Sequence, residues 1–218
     1  MKMARELSDA IEGLYEAFAD VPKPVGIAAC THCITENEIS ILLEKPLREL
    51  SSEDLSAYAS SAFLTAGDVE DYLYFLPRIL ELSATDDSWW PDIAVTGRAI
   101  KNTEPDNWPE HRRTALAGFF KAVIADLIER EKYGMIDDWM CSAGRAGIDV
   151  GPFLEVIETD RAAVLVFWEE NAGKLDEGKL ANEFWDLPNE EHDKIVRWFN
   201  SPRINMIYAE AYGYRTYK

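Results

Sequence analysis

The sequence predicts an all-α chain, an irregular multi-helix bundle or helical array that can divide into two helical subdomains. Three observations carry this. Helix N-cap signals recur at short intervals, and apolar residues repeat at spacings of three and four. No stretch alternates apolar and polar residues around a hairpin turn.

Within the run Ala4–Asp20, Leu7, Ile11, Leu14, Tyr15 and Phe18 share one helical face, and Pro22 and Pro24 stop the helix. Thr35 and Glu38 have capping-box spacing, with Ile34 and Ile39 at the staple positions; the helix they start runs to Pro46. Ser51 and Asp54 repeat the device with Leu50 and Leu55, and Gly67 is a left-handed stop. Asp68 caps Val69–Leu82, which is apolar nearly all round and therefore buried on most sides. Pro77 inside it removes a backbone donor, so a kink or a break into two helices is expected there.

Ser83–Trp108 is rich in Asp, Ser, Thr, Asn and Pro, with one short helix around Ile93–Ile100. It is the natural boundary between residues 1–84 and 85–218, packed as one unit. Asn107 and Glu110 read as a capping box for the longest helix, Pro109–Lys132, whose stripe is Leu116, Phe119, Phe120, Val123, Ile124, Leu127 and Ile128. Further helices are expected at Ile136–Ala146, Pro152–Glu158, Asp160–Asn171, Leu180–Trp185, Pro188–Asn200 and Pro202–Tyr212. Ser201-Pro202 supplies the last with a cap and a first-turn proline.

Charge narrows the function classes. With 40 acidic against 22 basic residues, the 218-residue chain carries −18, which repels nucleic acid and anionic membranes. Seven Trp and 47% hydrophobic residues place that charge on a folded protein. Residues 1–109 hold −12 of it. Three Cys make no disulfide framework, and with no apolar N-terminal leader a reducing cytoplasmic setting is expected. The longest uncharged run, Ser56–Gly67, is shorter than the ~18 apolar residues of a membrane span.

Cys30-Thr31-His32-Cys33 is the one short motif with chemical meaning. Its thiols can be structural, can grip zinc, or can act in redox chemistry. A closed zinc site needs four ligands, for which the chain offers only Cys141, His111, His192 and carboxylates, and no second CxxC. A reactive thiolate gains from a helix N-terminus, whereas the cap here is Thr35. His192 shares a face with Ile195, Val196 and Phe199 and reads as packed; His111 points to solvent. No Ser/His/Asp or Cys/His catalytic set assembles, and there is no HExxH, Walker loop or GxGxxG. The pairs Asp86-Asp87, Asp137-Asp138, Glu169-Glu170 and Glu190-Glu191 diverge by ~100° on a helix and read as solvated faces.

The N-terminal third, LYEAFADVPKP, CTHC, PLREL, SSEDLSAYASSAF and TAGDVEDYLYFLPRILEL, resembles a family of uncharacterised bacterial proteins. These carry a CxC- or CxxC-type cluster and a GDxxDxxxFLPRxLE segment, here Gly67, Asp68, Asp71 and Phe75–Glu81. The resemblance spans residues 13–83 and brings no activity. Some relatives have His before FLPR, where this chain has Tyr74. In size and acidity the chain is also similar to immunity proteins that neutralise toxic effectors.

The expectation is an acidic protein-binding module without catalytic residues, an inhibitor of a basic effector such as a nuclease-type toxin. Asp86, Asp87, Trp89, Trp90, Asp137 and Asp138 are the candidate contacts, because each acidic pair lies beside Trp (Trp89 and Trp90, or Trp139). The alternatives are a zinc or redox protein centred on Cys30 and Cys33, and a scaffold subunit whose acidity serves solubility.

Overall fold

The computed structural model describes residues 5–30 and 32–213, which leaves Ala4 and Thr31 of the segments above outside the described residues. Among the described residues there are eleven α-helices and no strand, only isolated bridges at Ala29–Ala66 and Ala62–Ala66. The chain divides into two compact units, 1–119 and 120–218, and the division falls inside a helix.

The first unit contains α1 (Arg5–Ala17), α2 (Glu36–Glu44), α3 (Ser52–Ser61), α4 (Val69–Thr85), α5 (Ile93–Asn102) and the first half of α6 (Glu110–Glu129). Its caps follow the sequence signals. Thr35, Ser51 and Asp68 each form a complete capping box with Glu38, Asp54 and Asp71. Tyr72, Phe75, Leu76, Ile79 and Leu80 of α4 are buried with Leu55 and Tyr58 of α3 and Leu7, Ile11 and Leu14 of α1. Phe75 and Tyr58 rings meet at 5.0 Å, a separation at which aromatic pairs attract. Pro77 does not break α4. Helix Val69–Thr85 continues through it, with the ring buried in the core, so packing outweighs the missing donor to Leu73.

The FLPR-like segment has structural partners throughout. Gly67 sits at φ +68°, and a Cβ there would lie 2.5 Å from the Tyr58 hydroxyl, so glycine is required. Arg78 donates to the Leu50 carbonyl (2.8 Å) and to Glu81 (2.7 Å), which also accepts from the Tyr15 hydroxyl (2.5 Å).

The second unit holds the rest of α6 and α7 (Ile136–Arg145), α8 (Gly151–Ile157), α9 (Arg161–Leu175), α10 (Glu190–Phe199) and α11 (Pro202–Tyr212). Helix α10 packs on α7, α8 and α9, and α9 packs on α7 and α8, with Trp139, Met140, Phe153, Phe167, Ile195 and Phe199 buried. α11 begins at the Ser201 cap and Pro202, and packs on α9 and α10.

Two local expectations are corrected. Asn107 does not cap α6; its side-chain amide donates to Glu104 (2.9 Å), within a 3-10 turn Pro105–Asn107. Leu180–Trp185 is a loop, not a helix. Side chains take its backbone donors: Leu180 N–H goes to His192 Nε2, Ala181 N–H to Asn171 Oδ1, and Phe184 N–H to Asn182 Oδ1. These bonds give the backbone an alternative to the helical ladder.

Candidate functional site

The α4–α5 connection carries the first acidic–aromatic pair. Asp86 ends α4, and its carboxylate accepts from Ser52 (2.5 Å) and from the backbone and hydroxyl of Ser88 (2.8 and 2.6 Å). Those bonds, the Ser52 hydroxyl first, hold its pKa below the ordinary carboxylate value. Asp92 caps α5 by accepting from Ala94 N–H at 2.8 Å. Between these two fixed points the loop presents Trp90, 65% exposed, with Asp87 exposed beside it. Trp89 is half-buried, and its indole N–H is sequestered without a hydrogen-bond partner. Trp108 is buried, donates to the Thr103 carbonyl (3.1 Å) and packs edge-on against Phe18.

The second pair has a different role. Trp139 is only 2% exposed and stacks edge-on with Phe120, so it offers no anchor surface. Asp137 accepts from Asn171 (2.9 Å) and Asp138 from Asn182 (3.0 Å), and Asn171 and Asn182 in turn accept backbone N–H groups of the 180–185 loop. Asp137 and Asp138 therefore clamp that loop onto α7. Burial pushes the Asp137 carboxyl up. On α9, Glu170 is raised to about 7, by burial first and then by Asp137, Asp138 and Glu169.

The clamped loop exposes apolar residues that sequence reasoning missed. Phe184, which follows Glu183, is 44% exposed, and Leu187, which follows Asp186, is 51% exposed. Asp186 accepts two bonds from Arg145 at 2.9 and 2.8 Å, which fixes the loop's far end. Reading Leu180–Trp185 as a helix hid this pattern; the signal was Asn182 two residues before Phe184, an Asx-turn spacing.

His192 is packed as expected: it is buried, its Nε2 accepts from Leu180 N–H (3.2 Å), and its ring meets Trp185 edge-on. His111 is exposed and borders an open groove of about 610 Å³ with Glu16, Glu110 and Thr114.

Cys30 and Cys33 are both exposed, and Cys141 is buried. Among the described residues no group of three His, Cys, Asp or Glu side chains gathers that could hold a metal ion. No helix among them is long and apolar enough to cross a membrane.

Comparison with known proteins returns no matching family model, curated protein or solved structure.

Proposed function

We propose that this chain is an acidic protein-binding module that recognises, and by covering it inhibits, a basic partner of the effector or nuclease-toxin kind. The observation that carries the reading is Trp90, two-thirds exposed on a loop fixed at both ends by Asp86 and Asp92. A large aromatic held out in water by a rigid loop is the side chain that supplies most binding energy when a partner covers it. Loop fixation lowers the ordering cost of association. The surrounding field is negative, since residues 1–109 hold 20 acidic and 8 basic residues, so a basic surface is the complementary partner. Asp87 is exposed on the same loop, three residues before Trp90, and Asp86 anchors the loop's start.

The experiment is affinity capture from the native host with wild type and Trp90→Ala, followed by affinity measurement on the purified captured protein. The reading expects a basic protein whose affinity falls by about 2 kcal/mol, roughly 30-fold, on truncation of Trp90. A captured partner that is acidic, or one that Trp90→Ala binds as tightly as wild type, would contradict it.

A further inference from the structure

Cys30 and Cys33 stand in a turn of their own, ahead of the helix that Thr35 caps. The Cys30 carbonyl accepts from Cys33 N–H at 2.9 Å and from Ile34 N–H at 3.1 Å. A chain closed by that bond brings the two Cα atoms within about 7 Å, the range a disulfide spans. Cys30 is tethered from behind, its N–H donating to the Thr65 carbonyl at 2.7 Å, so the turn is held against the 62–67 segment while both sulfurs face solvent. The Cys30 sulfur also lies 3.9 Å from His32 Nδ1, at the outer reach of a sulfur hydrogen bond.

We propose that Cys30 and Cys33 form a thiol–disulfide exchange site whose substrate is a low-molecular-weight disulfide, with Cys30 as the attacking sulfur. The local donors select Cys30. Its thiolate accepts from the His32 backbone N–H first and from the Cys33 thiol next, and these lower its pKa. In the first step the Cys30 thiolate attacks one sulfur of the substrate disulfide. The Cys30–sulfur bond forms as the substrate S–S bond breaks, and the departing thiolate takes a proton from water. In the second step Cys33 loses its proton and attacks the Cys30 sulfur, closing the Cys30–Cys33 bridge and releasing the second thiol. The protein dithiol loses two electrons and two protons, and the substrate disulfide gains them. Buried Cys141 takes no part. The donor set favours this over zinc, because two thiolates leave a tetrahedral ion two ligands short.

The test equilibrates the full-length protein in mixtures of reduced and oxidised glutathione, then alkylates remaining thiols and locates them by mass spectrometry. A Cys30–Cys33 bridge with Cys141 still alkylatable after unfolding is expected, and dithiothreitol reverses it. Cys33→Ser should stop at a glutathione adduct on Cys30, and wild-type Cys30 should alkylate several-fold faster than Cys33 at neutral pH. Three results overturn the proposal: both thiols free across the whole series, glutathione adducts without a bridge in wild type, or stoichiometric zinc that protects both sulfurs.

Discussion

Replacing Glu170 with Gln should stabilise the second unit at high pH and leave it unchanged at low pH. Glu170 holds its proton up to about pH 7 in the folded protein, because burial and the neighbouring Asp137, Asp138 and Glu169 disfavour its charge. In an unfolded chain a glutamate titrates near its ordinary value of 4.5. The folded state therefore binds the proton more tightly than the unfolded state. Its contribution to stability is full below about pH 4.5 and is lost as pH rises through about 7. A separation of that size corresponds to roughly 3 kcal/mol if the site were sealed. Glu170 is packed on one side only and keeps contact with water on the other, which screens the repulsion and leaves about 1 kcal/mol. Urea denaturation of wild type and Glu170→Gln, followed by tryptophan fluorescence at about pH 5 and about pH 8, measures the difference. Glu170→Gln should gain about 1 kcal/mol at the higher pH and much less at the lower. A stability difference that does not change with pH would refute the reasoning.

Three further outcomes follow from the packing. Gly144→Ala places a Cβ 2.4 Å from two ring carbons of Trp185, and such overpacking should cost about 1–3 kcal/mol by urea midpoint; an unchanged midpoint contradicts the close approach. Asn171→Ala strips partners from Asp137, the Phe167 carbonyl and Ala181 N–H together, and should cost about 2–4 kcal/mol. Faster amide exchange of the 180–185 loop should accompany that loss, and an exchange rate equal to wild type would count against the clamp. Thr35→Ala removes the α2 capping box at a cost of about 1 kcal/mol, read from denaturation, with Cys30 reactivity kept because its turn bonds lie outside α2.

What the sequence made legible was local and one-dimensional. Thr35, Ser51, Asp68 and Ser201 cap helices because their partners lie within three residues, so spacing alone identifies them. What it left hidden depended on distant residues. Pro77 reads as a breaker until the core around Phe75, Leu76 and Ile79 is counted against one missing bond. The 180–185 loop reads as helix until Asn171 and His192, up to a dozen residues away, claim its N–H groups. Exposure was the least legible property. Trp90, Trp108 and Trp139 all lie near acidic residues in the sequence, yet only Trp90 stands in solvent, because Trp108 and Trp139 face Phe18 and Phe120. The same limit concealed Phe184 and Leu187, apolar residues on a loop whose ends are fixed by Asn182 and by Asp186 with Arg145.

Recognition of a basic partner through Trp90 and the acidic residues of its loop is read from the association rate. Stopped-flow association of the captured partner should be compared for wild type and Asp86→Lys/Asp87→Lys between about 0.05 and about 0.5 M salt. Because Asp86 also holds Ser52 and Ser88, the folding stability of each variant is measured alongside, which separates a charge effect from a disturbed loop. Wild-type association should fall by about 10-fold or more across that range, and Asp87→Lys should start slower with a shallower dependence. Rates that ignore both salt and the Asp87 reversal would contradict the account and leave the −18 charge a matter of solubility.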